Sequence, residues 1–328
     1  MRVLRRCLPL AAVPLLAGCG RENLLHSKSP QEHDIVLLFW VMMGVACFGV
    51  ALILFLLWLG WHRRLREGTP QEARRSMVLL LVLGVAAPIV SLSALFVWSD
   101  VVVLRATSAP SPSSTALTID VIGHQWWWEV HYPGTPVVTA NEIHIPTNTR
   151  VNVVATTADV IHSFWVPELN RKIDMIPGMR NRVLLDASNP GAYRGQCSQF
   201  CGLQHAHMGL YVVAQPPARF RAWLAHQGRP AVTPTTALAQ KGKQLFMNSQ
   251  CASCHTIAGT PAQGEIGPDL THLATRFSLA GAEIPNNPHW LAAWIRNPQS
   301  IKPGDRMPDL GLQRPQITAL VAYLDSLR

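Results

Sequence analysis

Side chains that could bind metal ions are concentrated in one segment of the chain, CSQFCGLQHAHM at residues 197–208. Its spacing is Cys-x3-Cys-x3-His-x2-Met, and a further histidine, His162, lies upstream. Thiolate, imidazole and thioether ligands together favour copper. One cysteine suits a mononuclear centre, whereas two cysteines in one loop let both thiolates bridge two copper ions. Two cysteines four residues apart could also be inert packing on a helix, but the full spacing with a distant histidine favours a dinuclear copper site.

A second segment carries a different signal, because Cys251, Cys254 and His255 form the Cys-x-x-Cys-His motif that attaches c-type haem. The two thiols add to the haem vinyl groups, and the adjacent histidine lies under the iron. A zinc ribbon would need a second ligand pair, which does not follow, and a thioredoxin-like motif would need a βαβ setting. The motif therefore predicts one covalently bound haem c.

A second axial ligand of this haem is expected later in the sequence. Ligation by histidine and methionine raises the potential of a haem, so a methionine suits the position. Met307 lies 52 residues beyond His255 and precedes a proline. Met247 is the competing candidate, but it lies too near Cys251 to reach the opposite face of the haem. The sequence predicts His255 and Met307 as the axial ligands.

Two apolar runs near the N-terminus are long enough to cross a bilayer. Residues 35–61 and 77–98 contain no formal charge, and both are predicted as transmembrane helices within a membrane anchor at 19–105. Pro88 is expected to kink the second helix. The segment between them holds five arginines against two glutamates and is expected to stay cytoplasmic. The mature N-terminus and everything after residue 98 are then extracytoplasmic.

Residues 1–18 have the architecture of a signal peptide, with three arginines before an apolar stretch. The stretch ends in Leu-Ala-Gly-Cys, which resembles a bacterial lipoprotein cleavage site with Cys19 as the lipidated residue. Across the chain, 28 basic residues stand against 19 acidic ones, for a formal net charge of +9. Because the arginines lie at the membrane borders, this excess indicates contact with membrane lipid and not with nucleic acid.

The hydrophobic period divides the remainder of the chain into two domains. Residues 106–116 are rich in Ser, Pro and Ala and suit a linker. Alternating apolar and polar residues over 117–215 predict an all-β sandwich. Residues 216–235 contain four prolines and an amphipathic stretch, and we expect a semi-rigid connector there. From 236 to 328 the period is helical, which predicts an all-α domain.

The chain over about residues 30–215 resembles subunit II of the haem-copper cytochrome c oxidases, in which two helices precede a cupredoxin domain, a Greek-key sandwich with a dinuclear CuA centre. The copper ligands implied by this resemblance are His162, Cys197, Cys201, His205, Met208 and the backbone carbonyl of Gln199. The run GHQWWWE at 123–129 resembles the family's aromatic segment, and its Trp126 matches the residue through which electrons enter CuA. We expect Trp127 and Trp128 to pack in the core, and the loop at 172–178 to face subunit I.

Residues 236–328 resemble a class I cytochrome c. The run GDRMP around Met307 is similar to the loop that carries the distal ligand of that family. The run GPDL at 267–270 is similar to the loop whose carbonyl orients the proximal histidine. Gly242, Phe246 and Tyr323 match the positions where the terminal helices of these cytochromes cross.

A CuA domain fused to a cytochrome c resembles subunit II of the caa3-type oxidases of bacterial plasma membranes. The resemblance implies one-electron relay from a donor, such as a cytochrome c or the bc1 complex, through haem c and CuA to subunit I. There oxygen is reduced to water and protons are pumped, and subunit III is a further partner. The chain is then an electron-transfer subunit, and the enzyme is the complex.

One position departs from the family pattern, and other classes of protein share parts of it. The family usually has Glu at the position of Gln199, where the side chain helps to hold a magnesium ion at the interface with subunit I. An amide is a weaker ligand for a hard cation, which puts this magnesium site in doubt. A CuA subunit of a nitric oxide reductase would share every site. A copper-delivery protein would lack His205, Met208 and the haem motif, and a quinol oxidase subunit would lack the copper ligands.

Overall fold

The computed structural model describes residues 25–63 and 69–328, which form two long helices, a β-sandwich and a helical domain. The predicted signal peptide and Cys19 lie outside the described residues. The helices are α1 Pro30–Arg63, α2 Pro70–Thr107, α3 Pro217–Gln227, α4 Ala237–Met247, α5 Gln250–Cys254, α6 Pro288–Arg296 and α7 Arg314–Leu324.

Both N-terminal helices are long and apolar enough to cross a membrane, and each extends beyond its predicted apolar run. α2 begins early because Thr69 and Glu72 form a capping box, in which the Glu72 carboxylate accepts the N–H of Thr69 at 2.7 Å. A π-helical stretch over Val82–Ala86 precedes Pro88. Proline lacks an N–H group, and the wider turn accommodates that missing donor, so the expected disturbance takes the form of a π-bulge.

Ten strands form the sandwich, which confirms the all-β domain predicted from the alternating pattern. They are β1 Leu117–His124, β2 Trp127–His131, β3 Val138–Ala140, β4 Glu142–Pro146, β5 Val151–Thr157, β6 His162–Trp165, β7 Ile173–Met175, β8 Asn181–Leu185, β9 Gly191–Cys197 and β10 Gly209–Gln215. One sheet has the order β3-β2-β1-β5-β8 and the other β4-β10-β9-β6-β7. β1 runs parallel to β5 and β10 to β4, while the remaining neighbours are antiparallel.

The core of the sandwich follows from the period of two along its strands. In β1, Ile119 and Val121 are fully buried, whereas Asp120 between them faces outward. Trp128 and Val130 of β2 are buried in the same core. Each large apolar side chain buried in this way stabilises the fold by about 1.5–3 kcal/mol. The core thereby fixes the strands whose ends carry the candidate metal ligands.

The stretch 216–235, predicted as a semi-rigid connector, contains helix α3, which packs on the sandwich. Phe220 of α3 is 7% exposed and belongs to the sandwich core. Trp223 stacks on the His144 ring with a centroid separation of 3.9 Å. The amphipathic stretch therefore closes one end of the sandwich, and only residues 228–236 join the two domains.

The C-terminal domain is built around the crossing of α4 and α7. A Cβ atom at Gly242 would lie 1.9 Å from the carbonyl oxygen of Ala319, so only glycine permits this approach of the two backbones. The Phe246 and Tyr323 rings meet edge to face beside the crossing, 5.9 Å apart. The predicted contact of the terminal helices is thus present. A small hairpin, β11 Ser278–Leu279 and β12 Ile284–Pro285, extends from this domain toward the sandwich.

Candidate metal centre and cofactor cavity

The sulfur and imidazole side chains of the sequence motif converge at one end of the sandwich. Cys197 Sγ lies 3.8 Å from Cys201 Sγ and 3.8 Å from Nδ1 of His162. Cys201 Sγ lies 3.7 Å from Nδ1 of His205 and 3.9 Å from Sδ of Met208. The carbonyl oxygen of Gln199 lies 3.2 Å from Cys197 Sγ. The structure therefore brings all six predicted copper ligands into one cluster.

Two adjacent strand ends and one loop create this cluster. Cys197 ends β9, Met208 immediately precedes β10, and the loop between them carries Cys201 and His205. β9 and β10 are antiparallel neighbours, so the hairpin returns Met208 to Cys197, whose N–H donates to the Met208 carbonyl at 3.0 Å. His162 begins β6, which pairs with β9. The loop spacing and the sheet register together set the positions of the side chains.

Buried neighbours control the protonation of the two thiols. A hydrogen bond from the Cys201 thiol lowers the pKa of Cys197, and the same interaction raises the pKa of Cys201. A metal ion binds the thiolate form of cysteine, so binding here would release protons from the thiols. His162 is fully buried, and its Nε2 lies 2.8 Å from Oδ1 of Asp159. That carboxylate orients the ring so that Nδ1 faces the thiols.

The donor set fits copper better than magnesium or calcium. His162, Cys197 and Cys201 place one ligand atom each within 4.8 Å of one another, and all three residues are buried. Thioether and thiolate sulfur are soft donors that favour copper, whereas magnesium and calcium take oxygen ligands. Two thiols side by side with a histidine next to each are the chemistry that a bridged pair of copper ions requires. His207, which lies outside the motif, points its Nδ1 to Glu283 Oε2 at 3.0 Å.

The aromatic segment lies directly against this cluster. The indole Nε1 of Trp126 donates to the carbonyl oxygen of Cys201 at 3.0 Å, and the indole is 7% exposed. Trp128 is fully buried in the sandwich core, as predicted. The same prediction is wrong for Trp127, which stacks on His124 at 4.4 Å and lines a cavity between the domains. Successive residues of a strand face opposite sides, so Trp127 and Trp128 cannot both enter the core.

That cavity contains the haem-attachment motif. Cys251 and Cys254 of α5 line it together with His255. His255 Nδ1 lies 2.8 Å from the Pro268 carbonyl oxygen, as the GPDL resemblance predicts, which leaves Nε2 free to ligate iron. Burial lowers the pKa of His255 and favours the neutral ring that binds a metal. A Cβ at Gly267 would lie 2.6 Å from Cε1 of His255, so this position needs glycine.

The lining of the cavity distinguishes the two methionines that could be the second axial ligand of the haem. Met307 lines the cavity, whereas Met247 packs against the helical core. Sequence analysis missed Arg276, which also lines the cavity and whose Nε is buried with no hydrogen-bond partner among the described residues. An orphaned guanidinium donor at this place fits a carboxylate of the cofactor. Its position soon after the GPDL run is the signal that could have identified it.

The two domains meet where the cavity faces the aromatic segment. Gln125, Trp126 and Trp127 of the sandwich line the same cavity as the haem-attachment motif. Arg194 Nη1 donates to the carbonyl oxygen of Ala282 at 2.8 Å, and the same guanidinium pairs with Glu283 at 3.4 Å. Trp126, whose indole contacts a candidate copper ligand, is therefore also one of the residues that line the candidate haem site.

A β-sandwich with a sulfur-rich cluster of candidate metal ligands, joined to a helical domain with a haem-attachment motif, defines a copper- and haem-binding electron-transfer protein. Residues 136–215 match the family "Cytochrome C oxidase subunit II, periplasmic domain", and residues 239–328 match "Cytochrome c". Cytochrome c oxidase subunit 2 of Alkalihalophilus pseudofirmus is 33% identical over 98% of this chain and 97% of its own length. The Bacillus subtilis subunit 2 is 29% identical over 99% of this chain and 98% of its own length.

The chain belongs to the cytochrome c oxidase subunit 2 family, as the sequence motifs predicted. It is also similar to the solved periplasmic domain of subunit II of cytochrome oxidase from Bradyrhizobium japonicum, at 32% identity. That match covers 37% of this chain and 96% of the solved one, with a TM-score of 0.35.

Proposed function

We propose that this chain is the electron-accepting subunit of a terminal cytochrome c oxidase and relays electrons from a donor through haem c and a dinuclear CuA centre to subunit I. Bound at these sites, haem c and copper supply reversible one-electron chemistry. The single observation that carries the proposal is that Trp126 contacts both sites, through its bond to Cys201 and as part of the cavity wall. The residues proposed to hold copper are His162, Cys197, Gln199, Cys201, His205 and Met208.

The proposed haem ligands are Cys251 and Cys254 by covalent attachment and His255 and Met307 at the iron. His255 is held by Pro268, and Arg276 offers its unpartnered Nε to a carboxylate of the haem. The domain limits that accompany this assignment are 117–227 for the copper domain, now including α3, and 236–328 for the cytochrome domain.

The position of the cytochrome domain supports a built-in donor. Trp126 is 7% exposed, its carbonyl oxygen accepts a hydrogen bond from Lys302 of that domain, and the partly buried Arg194–Glu283 pair also joins the two domains. A soluble protein therefore cannot reach Trp126 without displacing the domain. External donors, a cytochrome c or the bc1 complex, are proposed to deliver electrons to the cytochrome domain and not directly to copper.

The copper loops offer a separate surface for the acceptor. Phe200 is 78% exposed, and Ile161, beside the proposed ligand His162, is 42% exposed. Exposed apolar side chains grouped around a functional loop favour a protein contact. We propose that this surface, with the nearby loop at 172–178, faces subunit I, and that subunit III completes the complex. The exposed amide of Gln199 offers a poor ligand for magnesium at that contact, so the proposed copper function does not depend on that ion.

We propose that α1 and α2 anchor the chain in a bacterial plasma membrane with both domains on the extracytoplasmic side. The support is the length and apolar surface of the two helices and the arginines of the segment between them. Cys19 is proposed to carry a lipid after signal cleavage. Mass spectrometry of the mature N-terminus should show a diacylglyceryl group on Cys19, and an unmodified Cys19 or another first residue would contradict this.

The function is tested on the purified complex of the full chain with subunit I. Visible and EPR spectra should show haem c and a mixed-valence dinuclear copper signal, and reduced donor should support oxygen uptake. Met307→Ala keeps the covalent attachment but removes the ligand that raises the haem potential, so donor-driven oxygen uptake should fall sharply. Lys241→Ala, at an exposed position of α4, is the matched control. Nitric oxide consumption without oxygen uptake would assign the chain to a nitric oxide reductase instead.

A further inference from the structure

Lys302 is a buried lysine at the boundary between the two domains. The residue is 1% exposed, although its neighbours Pro303 and Gly304 are exposed. Its Nζ donates to the carbonyl oxygen of Trp126 at 3.1 Å and lies 3.3 Å from Oδ2 of Asp305. Burying an ammonium group is costly unless it is paired and hydrogen bonded. Asp305 supplies the pairing from the same loop, whereas the bond to the Trp126 carbonyl exists only while the two domains are in contact.

These contacts belong to a continuous series of polar contacts between the candidate haem site and the candidate copper site. Asp305 Oδ1 accepts the N–H of Met307 at 2.9 Å, and Asp305 Oδ2 pairs with Lys302. Lys302 then bonds the carbonyl of Trp126, whose indole N–H donates to the carbonyl of Cys201 at 3.0 Å. Four polar contacts thus join the backbone of the proposed haem ligand Met307 to that of the proposed copper ligand Cys201.

A second series of hydrogen bonds starts at Arg306, next to Met307, and also ends on the carbonyl oxygen of Cys201. The guanidinium of Arg306 donates to Oε1 of Gln125. Nε2 of Gln125 donates to the carbonyl oxygen of Cys201 at 2.8 Å. Residues 302–307, which we call the distal loop, therefore contact the copper domain through both Lys302 and Arg306. Of the two side chains, Arg306 is exposed and Lys302 is buried, so the lysine is the one shielded from competing water.

We propose that Lys302 is a positioning residue that holds the distal loop against the Trp126 peptide and so fixes the contact across which electrons pass from the cytochrome domain to the copper site. The inference rests on the proposed function, because it assumes that both cofactors bind where proposed. Covalent fusion only keeps the domains near each other, whereas transfer requires one fixed approach. Lys302 lines the candidate haem cavity but is not among the proposed ligands of either metal, so it supplies that approach without ligating an ion.

The charged groups around Lys302 explain why a cation is tolerated here. Asp305 pairs with it directly, and Glu283 on the β11–β12 hairpin adds negative charge nearby. A Cβ at Gly281 would lie 3.4 Å from Nζ, so the hairpin also closes over the ammonium group. Arg306 points away to Gln125. The lysine is therefore enclosed by both domains and compensated mainly by its own loop.

The test uses the full-length chain loaded with haem and copper, as wild type, Lys302→Met, Lys302→Arg and Lys241→Met. Hydrogen–deuterium exchange should show about tenfold faster exchange at residues 124–128 and 302–307 in Lys302→Met, because the shared contact opens more often. The rate of electron transfer between haem and copper after photoreduction should fall about tenfold or more. Haem absorbance and the copper EPR signal should stay as in wild type. Lys302→Arg keeps the cation and its donors, so its exchange and electron-transfer rates should lie close to those of the wild type. Lys241→Met should change neither rate.

Arg306→Ala is a second variant that tests the same contact at an exposed side chain, in case Lys302→Met does not fold. It should raise exchange in the same two segments and slow the transfer by about threefold. Wild-type exchange and wild-type transfer rates in a folded Lys302→Met, or in Arg306→Ala if the first is unfolded, would overturn the inference. Absence of haem or copper signals from the wild-type chain would instead overturn the proposed function.

Discussion

Oδ1 of Asp159 lies 2.8 Å from Nε2 of His162, on the side of the ring opposite to the thiol of Cys197. The other carboxylate oxygen of Asp159 accepts the N–H of Gln125 at 2.7 Å. One acidic side chain therefore orients a proposed copper ligand and anchors the aromatic segment that leads to the cytochrome domain. No metal-binding motif marks this residue, because it acts through the histidine and not on the ion.

Replacing Asp159 should weaken the copper site without removing a proposed ligand. Asp159→Asn puts a neutral amide beside His162, so the ring loses the carboxylate that orients it and raises its basicity. Partners of this kind change metal affinity by about 10–100-fold. Competition with a copper chelator, followed by EPR, measures the loss. Asp174→Asn, an exposed aspartate of β7, is the control and should bind copper as the wild type does. Equal affinity in both variants would show that Asp159 has no such role.

The two sulfur ligand types should respond differently to substitution. Cys197→Ser removes one of the two thiolates, and the mixed-valence EPR signal should disappear because a bridge between two copper ions is lost. Met208→Leu keeps both thiols and both histidines, so copper should remain bound with an altered potential, since a thioether is a weak axial ligand. EPR, copper analysis and redox titration distinguish the outcomes. Full copper content and an unchanged spectrum in both variants would contradict the proposed ligand set.

The crossing of the terminal helices gives a prediction on stability. Gly242→Ala would place a methyl group 1.9 Å from the Ala319 carbonyl oxygen, so α4 and α7 must separate. Overpacking of this kind costs about 1–3 kcal/mol or more, and we expect the free energy of unfolding of the cytochrome domain to fall by at least that amount. Haem absorbance during thermal unfolding measures it. Lys241→Ala, one residue earlier and exposed, should leave the transition in place.

The sequence predicted most of what is local and missed most of what joins distant segments. The spacing of the proposed copper ligands predicted their convergence because four of them lie within the twelve residues 197–208. The haem motif spans only residues 251–255, so it too could be identified from sequence alone. The packing of α3 on the sandwich depends on side chains of strands far away in sequence, such as His144 of β4. The prolines of this segment favoured a connector over a packed helix. In the sequence Lys302 is indistinguishable from an exposed polar loop residue, because its partner across the domain boundary, the Trp126 carbonyl, lies 176 residues away.

Two buried tyrosines provide a matched pair, one hydrogen bonded and one not. The hydroxyl of Tyr132 donates to the His144 carbonyl at 2.9 Å and accepts the His144 N–H at 2.7 Å. The hydroxyl of Tyr323 has no hydrogen-bond partner among the described residues. Tyr132→Phe leaves two backbone groups unsatisfied and should cost the sandwich about 1–3 kcal/mol, whereas Tyr323→Phe should be nearly neutral or slightly stabilising at pH 7.

Alkaline pH should test the burial of Tyr323. Burial raises the pKa of Tyr323 to about 12, while a tyrosine in the unfolded chain ionises near pH 10. Above about pH 10 the unfolded state releases a proton that the folded state keeps, so the stability of the wild-type cytochrome domain falls as pH rises toward 12. Tyr323→Phe removes this penalty and should unfold at a higher pH than the wild type, as followed by haem absorbance. An identical alkaline transition in both proteins would show that Tyr323 is not held un-ionised by the fold.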